Sequence, residues 1–440
     1  MNFLLLFVFG FSIIAFELYR FYRFPSFRFD FQFFFSFWFF KAFVLAPLAI
    51  LIIGPQAMNP VIERFYDAQI FALALVSAFV VWVCFVFGYS IVPPQKSAIY
   101  CSLRVYSPVF FWGVLAFFGF AGISFFIYRL GLSTVISQNI RYGGVEGDHL
   151  GVFGLYARAF LWMMFFSMVG SYTAKRSYSR DVVAPNFLVL LFVFFIVLVV
   201  TVQGASRAAY ILVFVLPYLV CCFVLGRLFK PVLMLVGVAI AVFMLLFGRS
   251  VMGHMLFSDV GGIFEAVKTS LLDMGVVGAV SSLSQSYSHP FLSVFVAFSG
   301  DGNFFSPRLF WDVPLGVLFY LKLFGFDTDL SITYYHSFLL TGEYNSDVPP
   351  GLVASLYYQA YGIGLVVGAL ILGLLFGLLN AYLRRLAVID WVGGIYIYAG
   401  FTLGNFVMVG DPRVYAIRVF FILLVIVLVR MFFVKKLGSK

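Results

Sequence analysis

The residues able to do chemistry in this chain are few, and their placement follows a pattern. His149, His254, His289 and His336 all lie between the longest apolar runs. Imidazole takes up and releases a proton near neutral pH, so these four mark where a hydroxyl proton could be removed. Arginines form a second set: Arg207 in Gly-Ala-Ser-Arg-Ala-Ala, Arg249 ending an apolar run, Arg158 within one, and Arg413 and Arg418 beside a short turn. A charge near membrane depth is costly unless it is paired or faces water, which makes such residues functional candidates. A guanidinium fork matches phosphate oxygens and keeps its charge at neutral pH. Several of them converging at a membrane boundary would suit a lipid diphosphate. Pairing with Asp411, Asp259 or lipid headgroups is the plain alternative for each taken singly. Arg141, in Ser-Gln-Asn-Ile-Arg-Tyr-Gly-Gly, sits among glycines and polar residues that suggest an ordered, substrate-facing turn.

Other chemistries are poorly supplied. No His-x-x-His, Glu-x-x-His or Asp-x-Asp-x-Asp-Gly array occurs, and Asp327 with Asp329 is the nearest approach to an acidic pair. Two carboxylates alone make a weak cation site, so the chain is expected to work without a metal and without a cofactor. Cys84, Cys221 and Cys222 lie inside apolar runs and Cys101 in a short basic loop, which leaves neither a disulfide framework nor a zinc site.

The elements that must position these residues are membrane helices. Hydrophobic residues make up 63% of the 440-residue chain and charged ones 10%, whereas a soluble fold carries about 25% charged residues. Apolar runs approaching the roughly 20 residues that a bilayer core demands recur at 2–17, 33–53, 70–92, 109–129, 152–174 and 187–202. They continue at 208–225, 232–247, 352–383, 392–409 and 417–433, which makes eleven predicted spans. If the spans alternate, one side collects sixteen basic and four acidic residues, and the other eleven basic and fourteen acidic. That is +12 against −3, and with Lys41 inside a span it accounts for the net charge of +10. Basic loops stay cytoplasmic, so the N-terminus is expected outside and the C-terminus inside. The basic balance is thus a topology signal and predicts no nucleic-acid partner. The fold class expected is an all-α polytopic membrane protein in three parts. Spans one to eight occupy 1–248, a large, partly helical outer loop 249–350, and spans nine to eleven 351–440. The loop mixes aromatics, glycines and charges, with helical spacing over 263–282 and an apolar stretch at 315–326, so it is expected to bury a small core of its own over the membrane.

Several short motifs on the outer face form a set. Arg141 precedes Tyr-Gly-Gly, and Gly-Ala-Ser-Arg207 lies at a hairpin. The large loop carries Phe-Ser-Pro-Arg308-Leu-Phe-Trp311 and then Tyr-Tyr-His336-Ser-Phe-Leu. Gly-Leu-Val-Ala-Ser-Leu-Tyr357-Tyr-Gln-Ala-Tyr361-Gly-Ile-Gly364 opens the next span. Together they resemble bacterial O-antigen polymerases, the oligosaccharide repeat-unit polymerases, with the Tyr-x-x-x-Tyr-Gly-x-Gly stretch the most specific part. Two details depart from the pattern: Phe-Gly is more usual at that span opening, and His336-Ser stands where related O-antigen ligases have His-Asn.

The resemblance implies a membrane-embedded, metal-independent glycosyltransferase of the GT-C type in the bacterial inner membrane, with its site facing the periplasm. Donor and acceptor would both be oligosaccharide repeat units on undecaprenyl diphosphate, and a chain-length regulator protein is an implied partner. Such a reaction needs cations for the departing diphosphate and a base for the acceptor hydroxyl. On that reading Arg207, Arg249 and Arg308 hold diphosphate, Arg141 holds diphosphate or glycan, and His336 is the base with Glu343 and Asp347 in reserve. Trp311, Tyr334, Tyr335, Tyr344 and Tyr357 are placed to stack on sugar rings. An O-antigen ligase, which shares the donor, and a polysaccharide flippase are the rival expectations.

Overall fold

The structure, a computed structural model, describes residues 2–23, 29–93, 103–105, 108–130, 148–178, 183–203, 207–228, 230–257, 262–299, 332–342, 348–387 and 390–436. With no water to satisfy backbone groups, a chain this apolar must close its hydrogen bonds within helices, and it does. In order, α1 is Asn2–Arg23, α2 Phe31–Phe40, α3 Ala46–Ile53, α4 Phe71–Ser90 and α5 Pro108–Leu130. Then come α6 Asp148–Tyr178, α7 Phe187–Gln203, α8 Arg207–Phe214, α9 Leu216–Leu225 and α10 Pro231–Phe257. Helices α11 Ile263–Tyr287, α12 His289–Ser299 and α13 Ile332–Thr341 follow, and α14 Gly351–Ile363 leads through a π-helical turn, Gly364–Gly368, into α15 Ala369–Leu386. The last are α16 Asp390–Gly404, α17 Phe406–Val409 and α18 Pro412–Leu428. Proline opens α5, α10 and α18, where its fixed φ suits a first turn and its missing N–H costs nothing. The described strands are two of three residues, Leu103–Val105 and Val434–Lys436, paired antiparallel.

Among the described residues eight helical segments are long and apolar enough to cross a membrane. Seven coincide with predicted spans. The eighth, Phe264–Tyr287, lies in the segment read as an outer loop. The fifth predicted span falls in α6, the seventh is split into α8 and α9 at Val215, and α7 and α18 supply shorter apolar stretches, Phe187–Leu198 and, running on past α18, Val419–Met431. The chain is a polytopic α-helical membrane protein.

Two compact units divide it. The first takes in Met1–Pro93, Leu246–Asn380 and Gly400–Ile417. Its centre is α2, whose Phe31, Phe34, Phe35, Trp38 and Phe39 are buried. Asp30 caps this helix by accepting from the Phe33 N–H at 3.0 Å. Phe35 stacks on Phe85 of α4, and Trp38 donates its indole N–H to the Phe401 carbonyl at 3.0 Å. Bulky rings can press on a neighbouring backbone only where the neighbour is small. Gly400 and Gly404 supply that, since a Cβ on either would lie 2.7–2.8 Å from Phe34 atoms.

The segment 281–299, part of the stretch read as an outer loop, packs into this core. Ser281 donates to the Gln56 carbonyl, Gln285 reaches the same carbonyl at 2.9 Å, and the Asn59 N–H donates to Ser288 at 3.0 Å. Pro290–Ala297 is buried throughout, with Phe291 against Phe43 and Phe71 and Phe295 against Tyr66. The sequence HPFLSVFVAFS of α12 has no charge to keep it in water, so it packs among the spans.

The second unit takes in Pro94–Leu245, Ala381–Ala399 and Arg418–Lys440. Here α5 lies along α6, with Trp112 donating to Ser167 at 2.8 Å. Gly394 of α16 sits on the backbone of Phe166, and Tyr396 and Tyr398 stack on Phe223 and Phe166.

Candidate functional site

The first unit holds a compact polar cluster built on α13, Ile-Thr-Tyr-Tyr-His-Ser-Phe-Leu-Leu-Thr. Both ends of this short helix are tied down. At its start the Asp411 carboxylate accepts the Thr333 N–H at 3.0 Å and the Thr333 hydroxyl at 2.6 Å. The same carboxylate accepts the Arg413 N–H at 2.9 Å, so one buried acid serves donors in the first turns of α13 and α18 together. At its end the Arg64 guanidinium donates to the Leu340 carbonyl. Acid at the N-terminus and cation at the C-terminus complement the helix dipole. The start of α14 is fixed nearby. Gly351, at φ +70, presses on Pro290, and Gly410, at φ +64, lies against the Gly351 carbonyl, where a side chain on either would collide with these neighbours.

His336 sits in the middle of the clamped helix with no exposed surface. Its Nε2 is 3.0 Å from Ser293 Oγ on α12, and its Nδ1 is 2.8 Å from the Tyr358 hydroxyl on α14. Burial, with a smaller push from His289, holds the imidazole pKa down at about 3. The ring is therefore neutral at pH 7, with one N–H and one lone pair. Serine and tyrosine hydroxyls can each donate or accept, so this three-member chain can shift a proton along itself by reversing its hydrogen bonds. It has no net charge to offer a ligand.

Around the polar core stand aromatic rings. Tyr335 meets Tyr358 edge-on at 5.7 Å, and Tyr357 meets Phe298 at 4.7 Å and Tyr361 at 5.5 Å. Tyr334, Tyr335 and Tyr357 are half-buried, and Tyr361 is 37% exposed. Two further buried polar atoms in this neighbourhood, Ser337 Oγ on α13 and Gln359 Oε1 on α14, have no hydrogen-bond partner among the described residues.

The structure thus brings His336, Tyr335 and Tyr357 into one neighbourhood, with Tyr334 beside them in the chain. Arg207 opens α8 in the second unit and Arg249 lies within α10 in the first; their side chains lie outside what is described. Arg141, Arg308, Trp311, Glu343, Tyr344 and Asp347 fall outside the described residues, as do Asp327 and Asp329. No group of three or more His, Cys, Asp or Glu is gathered as metal ligands among the described residues. Of the other histidines, His254 pairs with Asp273 at 3.4 Å, and both ring nitrogens of His289 face backbone carbonyls, those of Ser286 and Met408.

Both nitrogens of His336 already meet protein hydroxyls, so neither is directly open to a substrate hydroxyl in this state. Sequence reading also missed Ser293, Tyr358 and Asp411 as members of the cluster. Tyr358 adjoins Tyr357, Asp411 stands out in the sequence only as a pairing partner for the arginines, and nothing marks Ser293 within its apolar run. Comparison of the chain with protein-family models, curated proteins and solved structures finds no match.

Proposed function

We propose that the chain is a membrane-embedded glycosyltransferase that polymerises oligosaccharide repeat units carried on undecaprenyl diphosphate, acting at the periplasmic face of the bacterial inner membrane. The observation that carries this reading is the His336 cluster: a neutral imidazole between the Ser293 and Tyr358 hydroxyls, under a rim of tyrosines. Polar groups are expensive to bury in so apolar a protein, and a catalytic use would repay them. The acceptor hydroxyl must lose a proton as the new glycosidic bond forms. Here His336 takes it through Tyr358: the phenol receives the acceptor's proton as its own passes to Nδ1, and the short-lived imidazolium, disfavoured by burial, gives that proton back along the chain to the departing diphosphate. Arg308, Arg249, Arg207 and Arg141 are the cations for the departing diphosphate, which leaves as the donor glycan moves to the acceptor oxygen. The resemblance of their motifs to repeat-unit polymerases supports that assignment.

A second reading, transport of lipid-linked glycan, draws on buried charge. Lys41 is 7% exposed, its ammonium over the rings of Tyr287 and Trp38 at 3.2 and 4.2 Å. Reconstitution separates the two. Purified protein in liposomes, given repeat units on their lipid carrier and no core lipid, is expected to make a ladder of polymer lengths. Movement of the lipid-linked unit across the bilayer without a ladder would overturn the transferase reading in favour of the second. A ladder formed only when core lipid is added would point to a ligase.

A further inference from the structure

Helix α14 does not run straight on. Ala360 (φ −158, ψ 32) and Tyr361 (φ 49, ψ −137) leave helical geometry before the chain turns into the π-helical segment Gly364–Gly368. Among the described residues, Tyr361 and Lys230 are the only non-glycine residues at positive φ. That backbone region is open to glycine and disfavoured for a residue with a Cβ. A glycine stands next in the chain, at 362, yet the strained position is occupied by tyrosine. Strain of this kind persists only where the surroundings impose it, and it concentrates at ligand-binding positions.

The bend places the ring. Tyr361 is 37% exposed and stands edge-on to Tyr357, at 5.5 Å and 89°. Tyr357 stands edge-on to Phe298 at 4.7 Å, and its neighbour in the chain is Tyr358, which holds His336. A partly exposed tyrosine with a hydroxyl at its end, beside the buried His336 hydrogen-bond chain, has the chemistry to hold a pyranose ring. The sugar's C–H face covers the tyrosine face, and its hydroxyls meet the polar tip. A membrane-interface anchor needs no such bend, since a tyrosine on a straight helix reaches the headgroups equally well.

We propose that Tyr361, with Tyr357, forms a sugar-stacking subsite that seats the glycan beside the His336 cluster, and that the strained backbone is retained to present it. This rests on the glycosyltransferase reading. Binding of the repeat-unit oligosaccharide, released from its lipid carrier, to the full chain in detergent tests it, with Tm recorded for each variant. Tyr361→Gly removes ring and strain together, so Tm is expected to rise while binding weakens about tenfold, the size of one aromatic contact. Tyr361→Leu keeps the strain and most of the bulk, so binding weakens similarly with little change in Tm. Tyr361→Phe binds nearly as the wild type. Wild-type affinity in both the Gly and Leu variants overturns this inference alone. No binding to the wild-type chain overturns the transferase reading and this one with it.

Discussion

Two polar regions of the first unit solve opposite problems. Where α1, α2 and α4 meet, Arg20 is held by Glu17 at 2.9 Å and by Asp30. Ser36 donates to Glu17 at 2.7 Å, Trp82 to Ser36 at 3.2 Å, and Tyr89 to Asp30 at 3.0 Å. This knot is charged and its members answer one another. The His336 cluster is neutral, its members can exchange donor and acceptor roles, and two buried polar atoms nearby lack a partner among the described residues. Charge held among fixed partners sets helices in register. A neutral chain that can reverse its hydrogen bonds is suited to moving a proton, which is what the proposed reaction asks of it.

The sharpest way to break that comparison is to unpair the knot. Arg20→Leu strands two carboxylates and should cost about 3–5 kcal/mol, the range for removing one partner of a buried pair, read as lost folded protein by size exclusion and Tm. Replacing Arg20, Glu17 and Asp30 together by neutral residues should recover much of that loss. If the triple variant is no better than the single one, packing and not charge holds this end together. Next in size, Arg308→Lys keeps the charge but loses the bidentate fork, so polymer formation should fall on the order of 10²-fold at equal expression, the scale of one lost transition-state donor.

Smaller effects sharpen the contrast. Thr333→Val removes the hydroxyl that donates to Asp411 at 2.6 Å and should cost about 1–3 kcal/mol, because a buried acceptor is left short. The pH dependence carries a sign. His336 has its folded pKa depressed from 6.5 to about 3. Below pH 6.5 the unfolded chain binds a proton that the folded chain does not. Its contribution is therefore fully present above pH 6.5 and declines as pH falls toward about 3, by at most about 1.4 kcal/mol per pH unit. His336→Gln should flatten that slope in acid unfolding curves; an unchanged slope would mean that other groups set it.

The spans that were legible in the sequence are those whose apolar residues run all round, such as α4 and the long Gly351–Leu386 stretch. Helix α11 escaped because it is two-faced. Phe264, Leu272, Val276 and Val277 are exposed on it, while Ser281 and Ser288 turn inward to Gln56 and Asn59. Its serines and charges dilute the apolar signal that a window average detects. Arg20 follows the first apolar run, 2–17, and by position alone reads as a loop cation. Its side chain in fact reaches across to the cap of α2, and a charge count cannot see such a partner. His336 was legible as the histidine of interest, since it stands in a Tyr-Tyr-His-Ser motif beside an apolar turn. Its role was not, because that depends on Ser293 and Tyr358, which lie 43 and 22 residues away in the chain. Nothing local in sequence reports that approach, and a separation of 78 residues hides Asp411 from Thr333.

The measurement closest to the central claim is the polymerisation rate of His336→Ala in liposomes, on lipid-linked repeat units, at matched amounts of folded protein. Turnover should fall by about 10²-fold or more, the usual weight of a positioned acid–base group, while donor binding stays near wild type because the histidine serves the acceptor. Full-length polymer at the wild-type rate from His336→Ala would contradict the account and return the cluster to a purely structural role.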